Sequence, residues 1–131
     1  MQKLLFLAFG GALGTLSRYT LTTWLQGMLG VGFPYGTLAC NMAGCFLIGF
    51  IISLLERGLA LPQYLTLAVV TGFLGALTTF STFELESVNL LKGGFPLKMA
   101  LYMSISVVLG FAMVWAGFQL AKGLPLPYES N

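Results

Sequence analysis

The sequence predicts an all-α integral membrane protein of four transmembrane helices, and three observations predict it. Of 131 residues, 57% are hydrophobic and only 8% are charged, against roughly a quarter charged in soluble domains. The charges stand far apart, leaving long uncharged runs between them. Glycine and proline interrupt those runs at intervals that suit membrane-spanning helices. A single core in so short a chain cannot bury this much apolar surface, so lipid has to take it up.

The charges are Lys3, Arg18, Glu56, Arg57, Glu84, Glu86, Lys92, Lys98, Lys122 and Glu129. The run from Arg18 to Glu56 is too long for one helix. Gly27, Gly30, Gly32 and Pro34 divide it, glycine supplying turn geometry and proline suiting a helix start. Pro62 opens a third helix after the Glu56-Arg57-Gly58 connection, and Lys92-Gly93-Gly94 followed by Pro96 makes the last turn. The reading is therefore helices over about 4–26, 34–55, 62–90 and 96–122, in a single transmembrane domain over about 1–131 with no extramembrane domain. The polar tail from Pro125 is read as loose. Lys3 ahead of an apolar run also fits a cleaved signal peptide, but Arg18 and Gly10-Gly11-Ala12 sit badly with one.

Six Lys or Arg against four Glu leave a net charge of +2, too little for a nucleic-acid binder, and no histidine is present to relay protons. Four spans put both termini on one face. Lys3, Arg57 and Lys122 lie there, Lys92 and Lys98 lie on the other face, and Arg18 is nearer the second. Positive charge sets insertion, so this near balance predicts dual topology and an antiparallel homodimer. A weak bias that still enforces one orientation is the alternative.

Lipid supplies no hydrophobic force between helices, so small residues have to let them approach. Gly10 and Gly14 are four apart, Gly36, Cys40 and Gly44 make a stripe on the second helix, and Gly72 with Ala76 and Gly110 with Gly117 extend the pattern. Cys40 and Cys45 are badly placed for a disulfide or a two-cysteine metal pair and read as small buried hydrophobes.

Polar groups inside spans are costly and therefore candidates for function. Asn41 stands about a third of the way along the second helix, with two amide donors and a carbonyl. Arg18 is a cation within a span, with no acid nearby in sequence, and suits a vestibule that attracts anions. No carboxylate is expected in the middle of any span, and Glu84 and Glu86 read as helix-end charges at the interface. Gly72-Phe73-Leu74-Gly75-Ala76-Leu77-Thr78-Thr79-Phe80-Ser81-Thr82-Phe83 combines glycines, hydroxyls and β-branched residues that weaken a helix, so the third helix is expected to break near its middle. Breaks at membrane depth expose carbonyls that bind cations and amide ends that favour anions. Phe80 and Phe83 are three apart and can present positive ring edges from one helix face. Tyr102 and Ser106, four apart, suit a short hydroxyl track.

These blocks resemble the CrcB/Fluc fluoride channels over nearly the whole chain. The resemblance rests on Gly10-Gly11-Ala12-Leu13-Gly14 with Ser17-Arg18-Tyr19, on Gly36-Thr37-Leu38 with Asn41 and Gly44, and on Gly72 to Gly75 running into Thr78 to Phe83. It implies an antiparallel dual-topology homodimer with two pores, one along each fluoride path. Asn41, Phe80 and Phe83 would line that path, with Ser81, Thr82, Tyr102 and Ser106 as its hydroxyl and aromatic members. It also implies a structural, untransported sodium ion at the dyad, held by the backbone carbonyls of Gly75 and Thr78 from both subunits. Gly110 and Val114 stand where the family's track on the fourth helix continues with further hydroxyls, so its far end departs from the pattern.

The expected function is passive, selective export of fluoride across the cell membrane, the inner membrane in a Gram-negative bacterium, which lowers fluoride toxicity. Its partners are a second copy, fluoride and membrane lipid. A small dual-topology exporter of cationic drugs is the alternative, and it would want a carboxylate in mid-span. A non-transporting scaffold leaves the Thr-Phe-Ser-Thr-Phe segment and Asn41 unexplained. An enzyme lacks a histidine or a paired acid at depth.

Overall fold

The computed structural model describes residues 1–125; most of the tail expected to be loose lies outside the described residues. Four helices are long and apolar enough to cross a membrane, Gln2–Leu29, Tyr35–Glu56, Gln63–Lys92 and Pro96–Lys122, and no strand occurs among the described residues. The first two are α1 and α2. The third span consists of α3, over 63–77, and α4, Phe80–Lys92; the fourth span is α5, Pro96–Lys122. Within α3 a short α-helical start, Gln63–Thr66, widens into a π-helix over Leu67–Leu74 and closes as Gly75–Leu77.

Turn chemistry sets the helix ends. Gly30 and Gly94 follow α1 and α4 at φ 79° and 80°, a backbone region that side chains with a Cβ avoid. Pro96 then occupies the first turn of α5, where its missing N–H costs nothing.

Packing depends on absent side chains. On α1, Gly10 lies against the carbonyl of Ala68 and Gly14 against that of Phe73, while Gly72 of α3 lies against the Leu7 carbonyl; a Cβ at any of the three would collide with backbone oxygen. Gly49 of α2 and Gly117 of α5 do the same against Val114 and Phe46. Gly36 approaches Thr22, whereas a Cβ on Gly110 would lie 3.5 Å from the Cys45 sulfur, an ordinary contact. Two side chains extend the α2–α5 seam: Ser53 Oγ donates to the Phe118 carbonyl at 3.3 Å, and the Arg57 guanidinium donates to the Ala121 carbonyl.

The interior is small. Cys40, Leu74 and Leu77 form a buried cluster with Leu21, Leu47, Ile48, Ile51 and Phe73 against it. Only 11% to 22% of the most apolar window of each span is buried within the chain, and residues such as Phe111 and Trp115 are 76% and 59% exposed. Exposed apolar surface on that scale belongs in lipid or against another protein. The chain is a multi-pass membrane protein.

Candidate functional site

Between α3 and α4 the backbone is extended at Thr78 (φ −85°, ψ 152°) and Thr79 (φ −152°, ψ 123°). The local sequence favours this, because β-branched threonines fit extended backbone and their hydroxyls compete for backbone partners. The Thr78 hydroxyl donates back to the Leu74 carbonyl at 2.9 Å. The Thr79 hydroxyl caps α4, accepting from the Thr82 N–H at 3.3 Å and donating to the Thr82 hydroxyl at 3.0 Å.

Two other spans hold the interruption from outside. The Asn41 carboxamide of α2 accepts from the Thr79 N–H at 2.9 Å and donates through Nδ2 to the Thr79 carbonyl at 3.3 Å. One turn on, Gly44 leaves room for the Thr78 methyl group. From α1, Arg18 Nε donates to the Ala76 carbonyl at 3.0 Å. Arg18, which has no acid nearby in sequence, thus places its guanidinium on the carbonyl end of α3, where cations are favoured.

Beside the interruption lies a cleft of about 440 Å³. Asn41 and Cys45 line it from α2, Gly75 from α3, Thr78 from the extended stretch, Phe80 and Phe83 from α4, and Ser106 from α5. The rings of Phe80 and Phe83 have centroids 5.9 Å apart, yet their settings differ: Phe80 is 75% exposed and Phe83 6%. The Ser106 hydroxyl is buried without a hydrogen-bond partner among the described residues. None of the described residues that line it is acidic or basic. The cleft therefore offers hydroxyl, amide and ring-edge hydrogens, a chemistry that suits an anion better than a cation.

Other candidates fall elsewhere. Ser81 is exposed and Thr82 serves the α4 cap; neither lines the cleft, and neither do Arg18 and Tyr102. Tyr102 is wholly buried. Its ring packs on Phe83 and Phe33 at centroid distances of 5.1 and 5.4 Å, and its hydroxyl donates to Glu86 at 2.8 Å.

Glu86 requires a correction. Expected as a helix-end charge at the interface, it is a half-buried carboxylate within the third span. One oxygen accepts from the Thr37 hydroxyl and the other from Tyr102, both at 2.8 Å. Burial explains the pairing, since a carboxylate leaving water needs donors on its oxygens. Sequence reasoning missed this cluster because its members come from three spans. The one signal available was the coincidence of Thr37, Glu86 and Tyr102 at polar positions in apolar helices.

Fold and site together define a class: a four-span membrane protein in which the extended stretch of the third span borders a cleft with no carboxylate among its described lining residues. Residues 5–118 match the sequence profile of the family described as CrcB-like protein, Camphor Resistance (CrcB), and the chain belongs to that family. It is 47% identical over 116 residues to the fluoride-specific ion channel FluC of Acidobacterium capsulatum, covering 88% of this chain and 93% of the relative. It is 44% identical over 124 residues to the FluC of Citrifermentans bemidjiense, covering 95% and 100%, and 44% identical over 117 residues to that of Vibrio vulnificus, covering 89% and 93%. The family is one of channels, and the chain is not an enzyme.

Proposed function

We propose that this chain is a fluoride-selective passive channel of the cell membrane, the inner membrane in a Gram-negative cell, working as an antiparallel dual-topology homodimer with two pores. The single observation that carries the reading is the cleft in which Asn41, Phe80, Phe83 and the unpartnered Ser106 hydroxyl converge. Fluoride is small and tightly hydrated, so a pore must replace its water with hydrogen-bond donors and positive ring edges without binding too strongly at any one point. The names of the relatives agree with this chemistry. Ser81, Thr82 and Tyr102, which do not line the cleft, would serve as continuations of the path, and Arg18 would raise the anion concentration at its mouth. A negative-inside potential contributes about 2.3 kcal/mol per 100 mV toward expelling the anion. Neither ATP nor a proton carrier is required.

Dual topology rests on the near balance of basic residues between the two faces. The dimer has surface to use, because most of each span is unburied within one chain. Sodium fits the donors available at Gly75 and Thr78. Gly75 is exposed with no heavy atom within 4 Å of a Cβ position, and the Thr78 hydroxyl is turned back onto Leu74, so both residues would bind through hard backbone carbonyl oxygens. When bound, the ion would supply charge that neutralises carbonyl dipoles from two subunits. Gly75 and Thr78 would hold it in place as a structural element.

The test is fluoride efflux from liposomes that contain only this purified chain, with chloride as the comparison. Fluoride-selective efflux is expected. No fluoride efflux, or equal chloride efflux, would defeat the reading.

A further inference from the structure

We propose that Asn41 is a positioning residue that acts on conduction through the backbone of Thr79, as a one-residue substitute for a β-strand partner. The inference deepens the fluoride-channel reading and rests on it. An extended residue directs its N–H and C=O to the same side, which is why such residues pair in twos across an antiparallel ladder. Among the described residues no strand neighbours Thr79, and the site lies within a span, where an unmet backbone group has no water to turn to. The Asn41 carboxamide meets both groups, with Oδ1 on the N–H and Nδ2 on the carbonyl. Among side chains that are neutral at ordinary pH, a primary amide offers an acceptor and a donor side by side in this way, and the longer glutamine would displace them.

Position makes the pairing matter for function. Thr79 immediately precedes Phe80, the first residue of α4, and Phe83 follows one turn later. Residues on the other side of the interruption are fixed by separate means, Thr78 by the space at Gly44 and Ala76 by Arg18. The Asn41 pair is thus what α2 contributes at the start of α4, next to the two rings in the cleft, while Thr37 of α2 holds Glu86 further along the same helix. One Nδ2 proton is committed to Thr79, so the direct contribution of Asn41 to an ion in the cleft is limited to the other.

The experiment combines two alterations with two readouts in liposomes. Asn41→Leu removes the carboxamide; an ester in place of the amide between Thr78 and Thr79 removes the Thr79 N–H, makes the Thr78 carbonyl a weaker acceptor and leaves Asn41 intact, so the combined alteration separates loss of the Asn41 pair from any effect at that carbonyl. Fluoride efflux is measured for each and for the combination, and exchange of the Thr79 amide hydrogen is followed by NMR in the wild type and in Asn41→Leu. The expected results are an efflux lower by about tenfold or more in each single alteration, little further loss in the combination, and Thr79 exchange about two orders of magnitude faster in Asn41→Leu, as local opening no longer breaks the pair. Full efflux with the ester alongside lost efflux in Asn41→Leu would overturn the proposal, since Asn41 would then act on the ion directly. So would a Thr79 amide that exchanges equally fast in the wild type and in Asn41→Leu. If the wild type carries no fluoride, the channel reading fails, and the exchange comparison still decides whether Asn41 holds Thr79.

Discussion

Along the α2–α5 seam, Gly49 and Gly117 bring two unbroken helices close enough that a Cβ would strike a carbonyl. At the extended stretch between α3 and α4, hydrogen bonds do the holding: Asn41 pairs with extended Thr79, Arg18 takes the Ala76 carbonyl at the end of α3, and the Thr79 hydroxyl caps α4. The contrast follows from what each backbone already has. A continuous helix satisfies its own N–H and C=O groups, so its neighbour has only to fit, and small residues suffice. An extended stretch in a span leaves groups unmet, and its neighbours have to supply partners of the right polarity. One region is specified by shape, the other by chemistry.

Overfilling the seam should give the largest effect. Gly117→Leu should cost about 3 kcal/mol or more, seen in thermal unfolding of the detergent-solubilised protein as loss of a cooperative transition; a variant of near-normal stability would show that the seam is not closely packed. Asn41→Leu comes next, at about 2 to 4 kcal/mol for two backbone groups left without partners. In the seam, Ser53→Ala should cost only about 1 kcal/mol, because it removes the donor itself and leaves the Phe118 carbonyl with its helical bond. Comparable losses in these two would erase the distinction between the regions.

The two phenylalanines refine the comparison. Phe83→Ile removes a buried ring and should destabilise by about 1 kcal/mol, whereas Phe80→Ile, at an exposed position, should change stability by less than about 0.5 kcal/mol. Fluoride efflux should fall in both, since each loses a ring edge from the cleft. Unchanged efflux in both would remove the rings from the path. The smallest stability effect is expected for Ser106→Ala, about zero or slightly stabilising because an unpartnered buried hydroxyl is deleted. Its efflux should nonetheless drop, and full efflux with added stability would mean that the hydroxyl serves no ion.

Much of this protein was legible because its signals are local. Sparse charge and glycine and proline between apolar runs announce four spans without any knowledge of neighbours. The threonines at 78 and 79 carry their preference for extended backbone within their own side chains. Asn41, Phe80, Phe83 and Ser106 were singled out as polar or aromatic anomalies, and all four line one cleft. Glu86 misled for the complementary reason. Its chain neighbourhood, near Glu84 and Lys92, looks like a helix end, and its meaning comes from Thr37 and Tyr102 on other spans. Arg18 likewise has no acid nearby in sequence, and its Nε donates to a carbonyl 58 residues away.

The sequence by itself determined the solvent, the number of spans, the family and the place where helix-forming preference weakens, because each depends on composition or on residues close along the chain. Tertiary structure decided which backbone oxygens the glycines would face, which carbonyl Arg18 would hold, and that the Asn41 amide would be used on Thr79. Those outcomes depend on the mutual rotation of whole helices, which is set by many small contacts at once. Hydrogen bonds give each contact its worth only after that rotation has brought donor and acceptor within about 3 Å of each other.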